Sequence, residues 1–258
     1  MNRYVALGSS MAAGPGIRPS AVDAPRWSGR SACNYPHLVA ERMHLDLVDV
    51  TFSGATTAHV LNERQRGAPP QIDALDGSET VVTVTIGGND IGYIPLLMAA
   101  SLPRAVRRLP VIGPRVDELL DRDARDRAVA AVFDSLCGVG RALRERAPRA
   151  RVFFVDYLTV LPPAGQPAPP IPEPDAELGR HVATRLEAVT AEAAAATGCE
   201  VVCAGAASRD HHAWSELPWT VKSGGLAKSL VQWSSRPAPL HPNEAGMRAV
   251  ADLVVDRL

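Results

Sequence analysis

The chain has 258 residues, 46% of them apolar and 21% charged, with 27 basic and 28 acidic side chains giving a net charge of −1. Such a size and composition suit one globular domain over residues 1–258, and a balanced charge provides no global field to attract nucleic acid or an anionic membrane. No apolar run reaches the ~18 residues of a membrane span. Met1-Asn2-Arg3 also leads into a strand pattern without the apolar stretch of a secretory signal. The four cysteines read as free thiols, which together with the missing signal predicts a cytoplasmic protein.

Arg3–Leu7 reads as a short buried strand that runs directly into Gly8-Ser9-Ser10-Met11-Ala12-Ala13-Gly14-Pro15-Gly16. A second apolar strand, Leu45–Val50, precedes Phe52-Ser53-Gly54-Ala55-Thr56-Thr57, and a third, Thr80–Ile86, precedes Gly87-Gly88-Asn89-Asp90. Ile91–Ile112 is both apolar and basic; it reads either as a lid or acyl-chain shelf, or as a core-packed helix pair. The arginines at 104, 107 and 108, like those from Arg141 to Arg151, read as solvated helix faces.

Val129, Val132, Phe133, Leu136, Val139 and Leu143 then recur at helical spacing, ahead of a fourth strand, Arg151–Asp156. Leu161–Pro174 carries seven prolines, which rules out a helix there and predicts a stiff extended crossing, either a plain connector or a pocket wall. Leu178, Val182, Leu186 and Val189 mark another helix, and Cys199–Cys203 a fifth strand. The two cysteines of that strand are about 13 Å apart along it and cannot bond each other. Trp214, Trp219 and Trp233 all fall between this strand and His241, as a pocket wall for an acyl or aryl group or as a satellite core under the loop. His211-His212 lacks further ligands in a recognisable spacing, so no metal is expected. A last helix follows Asn243, with Met247, Val250, Val254 and Leu258 inward. The alternation predicts an α/β fold: a three-layer α/β/α sandwich around a five-stranded parallel sheet, flavodoxin-like.

Ser10, Gly54, Asn89 and His241, the last in Pro239-Leu240-His241-Pro242-Asn243, occur in that order, each beside a strand end or helix start. From Tyr4 to about Met247 the chain resembles the SGNH hydrolases, the GDSL-type esterases and lipases, and Tyr4-Val5-Ala6-Leu7-Gly8 and Asn34-Tyr35-Pro36 look like their bacterial branch. An α/β-hydrolase elbow is disfavoured, because it requires G-x-S-x-G in mid-sheet and position 12 is Ala. The resemblance implies a serine-dependent esterase or lipase with Ser10 as nucleophile and His241 as general base. It implies an oxyanion hole from the N–H groups of Ser10 and Gly54 and the Asn89 amide, and neither cofactor nor metal. The partner implied is a small-molecule ester; no protein partner is.

Two positions depart from the family pattern. Ser9 stands where an Asp usually precedes the nucleophile, and Ala238 stands where the family has an Asp three residues before the histidine. A Ser10–His241 dyad is therefore expected, its third partner open; some family members use a backbone carbonyl, and Arg236 to Pro239 lie in the right place to supply one. An acyltransferase or deacetylase, or a catalytically weak binding protein on the same fold, are the other readings.

Overall fold

The structure is a computed structural model that describes residues 2–223 and 237–258. Its strands are β1 (Arg3–Gly8), β2 (Asp46–Asp49), β3 (Glu79–Thr85), β4 (Arg151–Val155) and β5 (Glu200–Val202), each within two residues of the span expected from sequence. All pairings are parallel and the order is β2-β1-β3-β4-β5, the flavodoxin-like arrangement. The helices are α1 (Ser10–Ala13), α2 (Tyr35–Met43), α3 (Thr57–Leu61), α4 (Tyr93–Ala100), α5 (Arg104–Arg107), α6 (Gly113–Leu120), α7 (Arg122–Arg146), α8 (Glu173–Ala196), α9 (Ala204–Ala207) and a C-terminal helix (Glu244–Val255).

The central strands read as continuous apolar runs because both of their faces are covered. With side chains alternating along a strand, Val5, Leu7, Val82, Val84 and Phe154 face one core with residues of α4, α7 and α8. Tyr4, Ala6, Val81, Phe153 and Val155 face the other, with residues of α2 and the C-terminal helix. Of the four C-terminal positions expected to point inward, Met247, Val250 and Val254 are buried, whereas Leu258 lies past the helix end and is only half-buried.

The Asn34-Tyr35-Pro36 motif is a helix start. The Asn34 side chain accepts the His37 N–H at 3.1 Å, Pro36 sits in the first turn where no N–H is required, and Tyr35 is buried. Pro174 corrects the expected proline-rich crossing for the same reason: α8 begins at Glu173, and its first turn accommodates a proline that a helix interior would reject. Ile91–Ile112 resolves into the buried α4 and the short α5, ending just ahead of α6.

In a sheet of this order the chain leaves β1 for opposite sides, and a crevice opens at the carboxyl ends where the direction switches. The turns after β1 and β3, adjacent strands, carry Ser10 and Asn89, while the turn after β2 carries Gly54.

Candidate active site

Ser10 begins α1 directly after β1, and the turn is tight because Gly8 permits it. Gly8 has φ 137°, and a Cβ there would lie 2.5 Å from the Thr85 carbonyl oxygen of β3. The Gln71 side chain fixes the same residue from the other side, accepting the Gly8 N–H at 2.7 Å and donating to its carbonyl at 3.1 Å. Ser9 N–H donates to Thr85 O at 2.9 Å. The nucleophile candidate is thus carried on backbone tied to two neighbours, and its side chain is buried.

His241 reaches it from the far end of the chain, its Nε2 2.8 Å from Ser10 Oγ. Its Nδ1 lies 2.7 Å from the carbonyl oxygen of Pro239, two residues back in the same loop. A carbonyl oxygen only accepts, so Nδ1 carries the proton and Nε2 is left as the acceptor for the Ser10 hydroxyl. Burial lowers the His241 pKa below the ordinary histidine value, with the Pro239 carbonyl opposing, so the ring is neutral at neutral pH. The loop is held in register: Leu240 N–H donates to Val221 O at 2.8 Å, Val221 N–H to His241 O at 2.9 Å, and Ala238 N–H to Pro15 O at 2.9 Å. Leu240, fully buried, has φ 63°, a conformation that costs a non-glycine residue roughly 1–3 kcal/mol and that its packing and paired backbone maintain. The open third partner is therefore a backbone carbonyl, and it comes from within the segment that the resemblance indicated.

Gly54 has φ 81° and is exposed; an added Cβ would find only the Gln65 amide, 3.7 Å away. The N–H groups of Ser10 and Gly54 have no hydrogen-bond partner among the described residues. Asn89 Nδ2 donates one hydrogen to Ala55 O at 2.8 Å, and its second hydrogen remains. The neighbouring Asp90 accepts from Thr57 N–H at 3.0 Å and from Thr57 Oγ1 at 2.6 Å, so the turns after β2 and β3 are joined twice.

Sequence reasoning missed Tyr157. Its buried hydroxyl lies 3.0 Å from Ser9 Oγ and accepts the Gly88 N–H at 3.1 Å, joining the nucleophile's turn to that of Asn89. Gly88 has to lack a side chain, because a Cβ would come within 2.7 Å of the tyrosine ring. Burial pushes the Tyr157 pKa up to about 12 against those two hydrogen bonds, so the phenol stays protonated. The only sequence signal for this contact is Ser9, where a carboxylate is replaced by a side chain that a neutral phenol can pair with.

The tryptophans are placed differently from the catalytic candidates. Trp214 donates its indole N–H to Pro169 O at 3.1 Å, stapling the proline-rich segment. Trp219 stacks on His211 with centroids 4.1 Å apart, and its carbonyl accepts the Asn243 N–H at 2.9 Å at the start of the C-terminal helix. Both hold loops down in this structure, and Trp233 lies outside the described residues. The histidine pair is also engaged: His211 Nδ1 lies 2.8 Å from Leu217 O, and His212 Nδ1 accepts the Trp214 N–H at 3.2 Å.

A five-stranded flavodoxin-like sheet with a serine–histidine pair at its carboxyl edge defines a hydrolase of the SGNH class. Residues 6–249 match the family of GDSL-like lipases and acylhydrolases, and the chain belongs to it as an ester hydrolase. Among individual proteins it is similar to Lipase 2 of Streptomyces coelicolor, 33% identical over 99% of this chain and 85% of that protein. It is also similar to the extracellular lipase of Streptomyces rimosus, whose crystal structure superposes with a TM-score of 0.76 at 26% identity over 100% of this chain and 99% of that one. The fold is shared further with phospholipase A1 of Streptomyces albidoflavus, at a TM-score of 0.79 and 24% identity over 99% of this chain and 98% of that one.

Proposed function

We propose that the chain hydrolyses carboxylic esters through an acyl-Ser10 intermediate, with His241 as general base and then general acid. The observation that carries this reading is the 2.8 Å contact between His241 Nε2 and Ser10 Oγ, with Nδ1 held at 2.7 Å by the Pro239 carbonyl. A serine hydroxyl is a weak nucleophile until a neutral imidazole takes its proton during attack. The proton passes to Nε2 as Oγ adds to the ester carbonyl, and from Nε2 to the departing alcohol as the tetrahedral adduct collapses. Water then attacks acyl-Ser10 with the imidazole again as base, releasing the acid and restoring the hydroxyl.

Charge on the adduct's oxygen falls to the N–H groups of Ser10 and Gly54 and to the second Asn89 amide hydrogen, donors worth about 2.7–4 kcal/mol each where such holes have been dissected. Pro239 takes the orienting part of the missing Asp. In a serine protease, an Asn in place of that Asp lowers turnover about 10⁴-fold through the wrong tautomer. A carbonyl enforces the correct tautomer and supplies a dipole where the carboxylate would supply a full charge.

The test is hydrolysis of p-nitrophenyl esters from acetate to long acyl chains by wild type, Ser10→Ala and His241→Ala. Activity lost in both variants, with a fluorophosphonate adduct on Ser10 in the wild type, supports the reading. Turnover or labelling that survives Ser10→Ala overturns it. An added alcohol that diverts the acyl group would show whether the intermediate also passes to acceptors other than water.

A further inference from the structure

A cavity of about 350 Å³ lies beside Tyr157, between the segment that follows β4 and helix α8. Ser10, Gly54, Asn89 and His241 do not line it, so it stands apart from the catalytic crevice. Its volume is that of a small-molecule site. The start of the proline-rich crossing forms one wall, through Leu161, Pro162 and Pro163, and Arg180, Thr184 and Glu187 of α8 form another.

Tyr93, the first residue of α4, gives the cavity its particular chemistry. It lines the space and is only 1% exposed, yet its hydroxyl has no hydrogen-bond partner among the described residues. Nor is that oxygen sealed in the interior, so its partner is left to come from the cavity. A hydroxyl in such a place is costly to leave unmatched. Arg209, which also lines the cavity, is near enough for its charge to oppose the rise that burial gives the Tyr93 pKa.

The charged groups of the lining, Arg180 and Arg209 against Glu187 and Asp210, sum to zero. Arg209 spends two of its five N–H groups, on Thr159 Oγ1 at 3.0 Å and on Glu187 Oε2 at 2.5 Å. The Asp210 carboxylate has no hydrogen-bond or ion-pair partner among the described residues. Donors and acceptors both remain unspent, in a space without net charge. An anion there meets two carboxylates and a cation meets two guanidinium groups. A ring bearing several hydroxyls suits both, because each hydroxyl donates and accepts while the C–H face rests on leucine and proline.

We propose that this cavity is a second ligand site, taking a neutral polyhydroxy molecule of about one sugar ring, and that its occupant acts on catalysis through Tyr157. Tyr157 lines the cavity, and its hydroxyl pairs with Ser9 Oγ at 3.0 Å and accepts the Gly88 N–H at 3.1 Å. Tyr93 holds the same turn by its backbone, its N–H donating to Gly88 O at 2.9 Å. A ligand bonded to Tyr93 and Arg209 therefore braces the turns of Ser10 and Asn89 from behind without touching the ester. The coupling rests on the acyl-Ser10 reading above; the binding does not.

The test titrates the whole chain carrying Ser10→Ala, by calorimetry, with D-glucose, D-galactose and myo-inositol, and with sodium propionate and propylammonium chloride as charged probes. Saturable binding of at least one neutral probe, and of neither ion, is expected. Tyr93→Phe should weaken it about fivefold through loss of one uncharged hydrogen bond. Thr184→Trp, at an exposed position of the lining, should abolish it, and circular dichroism checks that both variants fold. In the active enzyme the bound probe should raise kcat for p-nitrophenyl acetate about twofold with KM unmoved, an effect lost in Tyr157→Phe. Binding of no neutral probe, tighter binding of an ion, or two variants that bind like the parent overturns the proposal. So does a probe that raises KM as a competitor of the ester, which would place it in the catalytic crevice, or a kcat that does not respond. Failure of the acyl-Ser10 reading is separately visible, as acetate-ester turnover that survives Ser10→Ala, and leaves the titration result standing.

Discussion

In the mechanism proposed for Ser10, one proton moves between Oγ and an imidazole nitrogen 2.8 Å away. Ser10→Ala and His241→Ala should each lower kcat by about 10⁴–10⁶, as in other serine hydrolases, with KM moving far less. Because burial lowers the His241 pKa, the neutral, active form persists to lower pH than in a free histidine. The acid limb of kcat/KM against pH should therefore have its midpoint below 6.5, the ordinary value, and a midpoint above it would contradict the burial of the ring. Tyr157→Phe removes the hydroxyl that accepts from Gly88 and pairs with Ser9, leaving a buried N–H unsatisfied. Loosening two catalytic turns at once should reduce kcat about tenfold with a smaller change in KM, measured on one soluble ester. The four catalytic candidates were legible because each sits in a short motif next to a strand. Tyr157 was not, since it lies 69 residues from its partner Gly88 and 148 from Ser9, and nothing local marks a tyrosine that reaches across the sheet.

Among the elements, the turn that carries Asn89 stands on the packing of the long helices. A Cβ at Gly87 would lie 3.3 Å from Leu186 of α8 and 3.4 Å from Leu136 of α7, so these two leucines form the bed of the Asn89 turn. Both are essentially fully buried. Leu136→Ala and Leu186→Ala should each cost about 2–5 kcal/mol in urea unfolding, the transfer cost plus that of the cavity left. Helix α7 and helix α8 were readable from 3.6-residue periodicity, and the strands from apolar runs between turn residues, because those signals report burial that is local in sequence. The start of α8 was misplaced for an equally local reason. Proline excludes a helix interior, but at the first turn the absent N–H has no partner to lose, and only the three-dimensional course of the chain decides which case applies.

Across the molecule, Asp156 lies at the carboxyl end of β4, buried, its carboxylate accepting the Gly205 N–H at 2.7 Å. Burial raises its pKa to about 7, with the Gly205 hydrogen bond opposing and Glu187 adding to the rise. The folded state thus holds a proton that the unfolded chain releases near the ordinary aspartate value of 3.8. The stability this provides is present below about pH 4 and is lost as pH rises through about 7. Between pH 5 and pH 8 the urea midpoint of wild type should therefore fall relative to that of Asp156→Asn, whose side chain does not titrate. Parallel profiles for the two proteins would show that Asp156 is not protonated in the folded state.

The sequence alone determined the layer architecture, the approximate strands, and the order of Ser10, Gly54, Asn89 and His241, since periodicity and strand-end motifs are written in neighbouring residues. Tertiary structure decided how they work together. It brought His241 to Ser10 across 231 positions, supplied the Pro239 carbonyl where a side-chain carboxylate was missing, and placed Tyr157 between two turns. It also brought Trp214 against Pro169 and Trp219 against His211. These contacts are long-range or depend on backbone direction within a single loop, and neither property has a signature in composition or spacing. A carbonyl's orientation is set by φ and ψ, here by the left-handed turn at Leu240, and two chains with the same residues in that turn differ in chemistry if the turn differs.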